Sequence, residues 1–161
     1  MQPDLCVPCG DGIVNLRVGA VILRDGKVLM VSHPAVDYLY SVGGRIRMGE
    51  TAEEAVVREV EEETGVRLRV QRLLFVHENL FYGDSPSNLG KLVYELSFYY
   101  LMETPPDFAP AGAGQTDLAE QEFLCWAAPD TPQKLYPDFF RTELDPLPDT
   151  LRFFRNDERI R

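Results

Sequence analysis

The sequence is poor in cysteine, in basic charge and in long apolar runs, and each shortage excludes something. Three cysteines in 161 residues is an odd, low count, as expected of a reducing cytoplasm rather than a disulfide-stapled secreted fold. Two of them form Cys6-Val7-Pro8-Cys9. As half of a zinc site this pair needs two more ligands, and Cys125, His33 and His77 lie far apart with no ligand spacing. A redox pair opens a helix, whereas here Pro8 lies inside the pair and Gly10 follows it. Cys6 and Cys9 therefore read as two plain thiols near the start of a strand. Lys and Arg number 16 against 26 Asp and Glu, a formal charge of −10. That balance excludes a basic face for a nucleic-acid duplex or an anionic membrane. The longest apolar stretches, such as residues 96–102, fall far short of the ~20 residues of a membrane span. The first five residues have neither the basic nor the apolar region of a signal peptide. No internal repeat or low-complexity tract is present.

What is present is enough to build a core. At 45% apolar and 11% aromatic, the chain suits one domain over residues 1–161. Residues 14–23 read as a strand, followed by an Asp25-Gly26 hairpin turn and a return strand over 28–31. Residues 38–42 form a short strand that Gly43-Gly44 interrupts. A helix over 51–64 follows, with Gly65 as its stop. Val66, Leu68 and Val70 alternate with arginines, which predicts a half-buried strand. Strands over 73–82 and 91–102 flank a turn-rich loop. Residues 103–115 hold three prolines and two glycines and read as loop. A last strand covers 122–126. Residues 129–161 read as a helical extension, with short helices between 132 and 144 and a charged tail that frays from 156. Many strands around one strong helix predict an α/β (α+β) domain with its core over about 14–128.

The helix carries the chemical signal. Thr51 and Glu54 form a T-x-x-E capping box, and Gly65 suits a left-handed helix end. At about 100° per residue three arcs separate. Val56, Val57, Val60 and Thr64 should face the core. Glu54, Arg58 and Glu61 should face solvent. Glu59, Glu62 and Glu63 share the third arc, where three like charges repel unless something offsets them. Hard divalent cations favour carboxylate oxygens and would do so. The charge is also local: residues 50–63 hold seven glutamates and one arginine.

The loop before the helix completes a pattern. Gly44 is followed after five residues by Glu50, and after seven more by Arg58-Glu59-Val60-Glu61-Glu62-Glu63-Thr64-Gly65-Val66. This resembles the Nudix box, G-x5-E-x7-R-E-U-x-E-E-x-G-U with U aliphatic, at every defined position. The resemblance implies an α/β/α sandwich with a central mixed sheet, and hydrolysis of the pyrophosphate link in a nucleoside diphosphate derivative. It implies that Glu59, Glu62 and Glu63 bind Mg²⁺ or Mn²⁺, with the Gly43 carbonyl as a further ligand. Arg58 and Glu50 would pair to fix the loop against the helix. The proton of the attacking water would go to Glu59 or to a glutamate outside the box: Glu122, Glu120 or Glu95. A different class, a Nudix-fold nucleotide-binding or regulatory protein without turnover, stands as the alternative. The intact acids favour the enzyme.

Substrate choice lies outside the box. Arg17, Arg45 and Arg47 are candidates for phosphate contacts. Phe81 and Tyr82 are candidates for stacking on a base. Tyr82 falls near where dinucleoside polyphosphate hydrolases of the family carry a tyrosine. ADP-ribose-like compounds, sugar nucleotides, dinucleoside polyphosphates and modified nucleoside triphosphates all remain open. Leu135, Phe139, Phe140, Leu144, Phe153 and Phe154 could cover the core or a homodimer interface.

Overall fold

The structure, a computed structural model, describes residues 2–111, 113–115 and 121–159. Strand β1 (Cys6–Cys9) turns back onto β2 (Gly12–Val21), pairing Cys6 with Asn15 and Cys9 with Gly12. Cys6 is half-buried and Cys9 exposed, and both are free thiols. Strand β3 (Leu23–Arg24) and β4 (Lys27–Ser32) form the expected hairpin. Its turn places Asp25 at φ 52° and Gly26 at φ 74°, the left-handed pair that an Asp-Gly turn supplies. Strand β5 (Tyr38–Arg45) runs on through Gly43-Gly44 and leads into helix α1 (Ala52–Thr64). Strands β6 (Val70–Tyr82) and β7 (Leu92–Met102) form a long antiparallel pair. Strand β8 (Ala113–Gln115), β9 (Gln121–Ala127), β10 (Lys134–Tyr136), the single turn α2 (Phe140–Glu143) and β11 (Arg152–Asp157) complete the chain.

One mixed sheet runs β11-β6-β7-β2-β5-β4-β9-β8, with β1, β10 and β3 paired at its flanks. The β2–β7, β6–β11 and β5–β10 pairs are parallel and the others antiparallel. Helix α1 covers one face. Its Val56 and Val60, both fully buried, pack with Val18, Ala20, Ile22 and Val42 of the sheet. Fully burying such a side chain contributes about 1.5–3 kcal/mol. The chain after β9 covers part of the other face, where Leu135, Phe139, Phe140 and Leu144 close over Phe75, Tyr99 and Leu101.

Three readings of the sequence need correction. Residues 66–69 form no strand: the Val66 N–H is tied back to Thr64 Oγ1 at 3.1 Å, so the chain leaves the helix as a turn. The stretch 103–115 is not all loop, because β8 pairs with β9. The C-terminal stretch is not a helical extension. It supplies two strands and one turn of helix, and residues 156–157 lie in β11, held parallel to β6. Strand pairing stabilises β11, and no local pattern in a short, largely exposed segment announces a partner that lies 77 residues earlier at Phe154↔His77. Among the described residues, no helix is long and apolar enough to cross a membrane.

Candidate active site

Helix α1 starts and stops where its caps require. Thr51 Oγ1 accepts from the Glu54 N–H at 3.1 Å, and Glu54 Oε2 accepts from the Thr51 N–H at 2.7 Å. Gly65 takes φ 76°, the left-handed conformation that costs other residues strain. Between these caps the helix aims its acids at the loop 43–50.

The tight approach depends on two glycines. A Cβ on Gly44 would lie 2.4 Å from the Glu59 carboxylate, and one on Gly43, at φ 155°, would lie 2.1 Å from the Val18 carbonyl oxygen. Any side chain here would push the loop off the acids.

Arg58 locks the loop to the helix. Its Nε donates to Glu50 Oε2 at 3.0 Å and its Nη2 to Glu50 Oε1 at 2.6 Å, a bidentate pair. Nη2 also donates to the Arg45 carbonyl at 3.0 Å, and Nη1 to Glu59 Oε1 at 2.8 Å and Glu62 Oε2 at 3.3 Å. Glu50 in turn accepts from the Arg47 N–H at 2.8 Å. The Arg58 hydrogen bonds hold the Glu50 carboxyl below its usual range. Arg58 therefore does not sit on a solvated arc. Its side chain is only 20% exposed, because five polar atoms of the loop and helix converge on it.

The three acids of the third arc differ. Glu62 is exposed. Burial pushes the Glu59 carboxyl up, against the lowering effect of Arg58. Glu63 is the extreme case. Burial, helped by the nearby charges of Glu59 and Glu122, pushes its carboxyl up to about 9, while the Gly43 N–H donates to it and opposes the shift. Its Oε2 is buried without a hydrogen-bond partner. An orphaned buried carboxylate oxygen is expensive.

Glu122, on β9, reaches the same region. Its Oε1 accepts from the Tyr40 hydroxyl at 2.9 Å. Burial and this bond to Glu122 raise the Tyr40 hydroxyl. Nothing in the sequence marked Tyr40. The signal was its spacing: it lies on β5 on the same face as Val42 and Gly44, so it must face the acids. Glu120 lies outside the described residues. Glu95 is elsewhere: it stands on β7 beside Asn15, whose Nδ2 donates to Glu95 Oε2 at 3.0 Å, on the sheet face away from α1.

The three arginines surround the loop. Arg17 and Arg45 are directly opposite each other on β2 and β5. Like charges so placed repel, and an anion between them removes the penalty. Asp4 ion-pairs with Arg45 at 3.7 Å and with Arg47 at 3.8 Å, and Arg47 approaches Glu62 at 3.8 Å. Phe81 and Tyr82, as strand neighbours, point to opposite faces; Tyr82 is 51% exposed.

The donor set fits a hard divalent ion. Glu59, Glu62, Glu63 and Glu122 offer carboxylate oxygens, and Glu63 Oε2 is buried and unsatisfied without one. As the side chains stand, no three acids, histidines or cysteines among the described residues already enclose an ion. Arg58 occupies Glu59 and Glu62 instead.

Known proteins resemble the chain over most of its length. The model for the family described as NUDIX domain matches residues 14–144. An ADP-ribose pyrophosphatase of Methanocaldococcus jannaschii is 40% identical over 67 residues, spanning 40% of each chain. The chain thus spans well under half of that relative's length. The CTP pyrophosphohydrolase of Escherichia coli is 26% identical over 117 residues, 70% of this chain and 75% of that one. In solved structures, the MutT protein of Bacillus halodurans superposes with a TM-score of 0.63 at 19% identity, covering 91% of this chain and 93% of the other. That likeness concerns the fold. The family match covers most of the chain and includes the loop, the capped helix and its acids, so the chain belongs to the NUDIX domain family.

Proposed function

We propose that the protein is a divalent-metal-dependent hydrolase that cleaves the pyrophosphate bond of a nucleoside diphosphate derivative. The observation that carries this reading is the buried, unpartnered Glu63 Oε2 beside the charges of Glu59 and Glu122. Bound Mg²⁺ or Mn²⁺ would be held by Glu59, Glu62 and Glu63, with the Gly43 carbonyl, and would neutralise the diphosphate and polarise its P–O bonds.

The chain's own residues do the rest. Arg17, Arg45 and Arg47 attract the phosphates, and ligand entry replaces the exposed Asp4 contacts of Arg45 and Arg47. Arg58 and Glu50 hold the loop at the helix, so the acids do not reorganise during reaction. Water attacks one phosphorus, the bridging P–O bond breaks, and the electron pair leaves on the second phosphate. The water's proton passes to Glu122, which Tyr40 orients, or to Glu59. Glu122 is the better base because Arg58 does not compete for it. Glu95 is unsuited, since it lies on the far face.

The resemblance to an ADP-ribose pyrophosphatase and a CTP pyrophosphohydrolase favours turnover over silent binding, as do the complete acids. Phosphate or nucleotide release, assayed over ADP-ribose, sugar nucleotides, dinucleoside polyphosphates and nucleoside triphosphates with and without Mg²⁺ or Mn²⁺, tests the reading. Metal-dependent cleavage of at least one class is expected. Tight binding of one compound with no turnover of any would establish the binding-protein alternative instead.

A further inference from the structure

The sheet face away from α1 is only partly covered. Beyond the cluster around Phe139, a row of polar side chains crosses three strands: Asn15 on β2, Glu95 on β7 and Asn79 on β6, in direct register. Neighbouring strands stand about 4.8 Å apart, so these groups form one short shelf. Glu95 is one of the glutamates outside the box that the sequence offers as a proton acceptor, and the proposed reaction does not use it.

The shelf is organised. Asn15 is only 7% exposed, and its Nδ2 donates to Glu95 Oε2 at 3.0 Å while its own Oδ1 is buried without a partner. Burying an amide on those terms costs free energy, and it fixes the carboxylate. Asn79 Oδ1 accepts from Asn156 Nδ2 at 2.8 Å. That leaves Glu95 Oε1 and Asn79 Nδ2 with no hydrogen bond among the described residues. Both residues remain partly exposed. The shelf therefore offers carboxylate acceptors on one strand and an amide donor on the next. Phe81, two residues along β6 from Asn79, stands on the same face, where a ring can stack on a base. Arg17 lies two residues along β2 from Asn15, about 7 Å away, and faces Arg45. The charge of Arg17 also acts on Glu59 and Glu63, so a nucleotide with its base at Glu95 would bring its phosphates to this arginine pair beside the acids.

We propose that the shelf is the base-recognition site and that it selects guanine, with Glu95 accepting from N1–H and N2–H and Asn79 donating to O6. This rests on the nucleotide-hydrolase reading only for the existence of a nucleotide ligand. Guanine alone among the common bases presents two adjacent donors followed by an acceptor. Adenine presents one donor beside an acceptor, cytosine one donor followed by two acceptors, and uracil one donor between two acceptors. Each of these leaves a Glu95 oxygen facing an acceptor, and an unpaired buried polar group is what makes such sites discriminate.

The test is the dissociation constants of GDP, IDP, 2′-deoxy-GDP, ADP and CDP, measured by calorimetry with Mg²⁺ present. IDP lacks only the N2 amine. Wild-type protein should bind GDP roughly tenfold or more tighter than IDP, and tighter than ADP and CDP, with 2′-deoxy-GDP close to GDP. Glu95→Gln, folded by circular dichroism, should bring GDP and IDP within about twofold. Equal binding of GDP and IDP by the wild type overturns the proposal, as does a preference that survives in Glu95→Gln or a lack of GDP binding. Discrimination against 2′-deoxy-GDP in place of IDP would assign Glu95 to the ribose hydroxyls and likewise overturn it. The wild-type comparison needs no variant. Selective GDP binding without cleavage of any diphosphate derivative would defeat the hydrolase reading alone, and equal cleavage of guanine, adenine and cytosine derivatives would defeat the shelf assignment alone.

Discussion

Glu63 is a residue the fold holds at a loss. A carboxylate below the surface, with one oxygen unpartnered, destabilises the metal-free protein. Replacing this strained acid by a neutral amide should therefore have two opposite consequences. Glu63→Gln should raise the thermal midpoint of the metal-free protein and abolish the further rise that Mg²⁺ gives the wild type, because an ion that binds only the folded state stabilises it. Thermal unfolding with and without Mg²⁺ checks both, and a Mg²⁺-induced rise undiminished in the variant would remove Glu63 from the metal site. At this scale the sequence was informative about identity and less so about environment. The box named Glu50, Arg58, Glu59, Glu62 and Glu63. Helical spacing alone sent Arg58 to solvent, since a 100° rotation per residue is blind to the Glu50 loop folding back over the helix. Tyr40 was silent because its partner, Glu122, lies 82 residues away.

Helix α1 is the element whose limits were legible in full. Capping is local chemistry, and every participant in it lies within four residues of a helix end. Thr51→Ala removes the acceptor for the Glu54 N–H and should cost about 1 kcal/mol, a fall of about 2–4 °C in thermal midpoint for a chain of this size. A loss of that order by thermal scanning, with the metal response intact, is the expected outcome; no loss would mean that loop packing against the sheet, not the cap, sets the helix start. Strands were legible where alternation or a turn announced them, as with β2, the Asp25-Gly26 hairpin, β6 and β7. They were illegible where only a distant partner makes them strands. Strand β11 and the three-residue β8 and β10 belong to that group.

Across the whole molecule, the sheet separates two chemistries. One face carries α1 and its acids; the other carries the C-terminal aromatic cluster and the polar shelf. Only register shows which residues share a face, so Glu95 and Glu122 look equivalent in sequence and lie on opposite faces in the fold. The C-terminal chain seals its face through Phe139, which stacks on Phe154 with ring centroids 4.2 Å apart and meets the His77 ring edge-on at 5.3 Å. Burial there lowers the His77 pKa below its ordinary 6.5. The unfolded chain then binds more protons than the folded one as pH falls through 6.5, so this histidine's contribution to stability is full above 6.5 and is lost as pH drops toward its folded pKa. His77→Phe should show a midpoint advantage over wild type that widens between pH 7.5 and pH 5.5. A gap independent of pH would mean that His77 keeps its ordinary pKa under the C-terminal cover.

The −10 charge also takes on a location at this scale, since much of it lies on the loop and helix that Arg58 binds together. Whether that acidity exists to hold a divalent ion for catalysis is decided most directly by the rate of pyrophosphate hydrolysis as a function of Mg²⁺ concentration, measured on the wild type and on Glu62→Gln. Glu62 is exposed, so the variant should keep its fold. The expected result is a rate that is negligible without metal, rises to saturation in the wild type, and falls by orders of magnitude in Glu62→Gln at an unchanged thermal midpoint. Hydrolysis that needs no divalent ion, or a variant as fast as the wild type, would contradict the assignment of these acids.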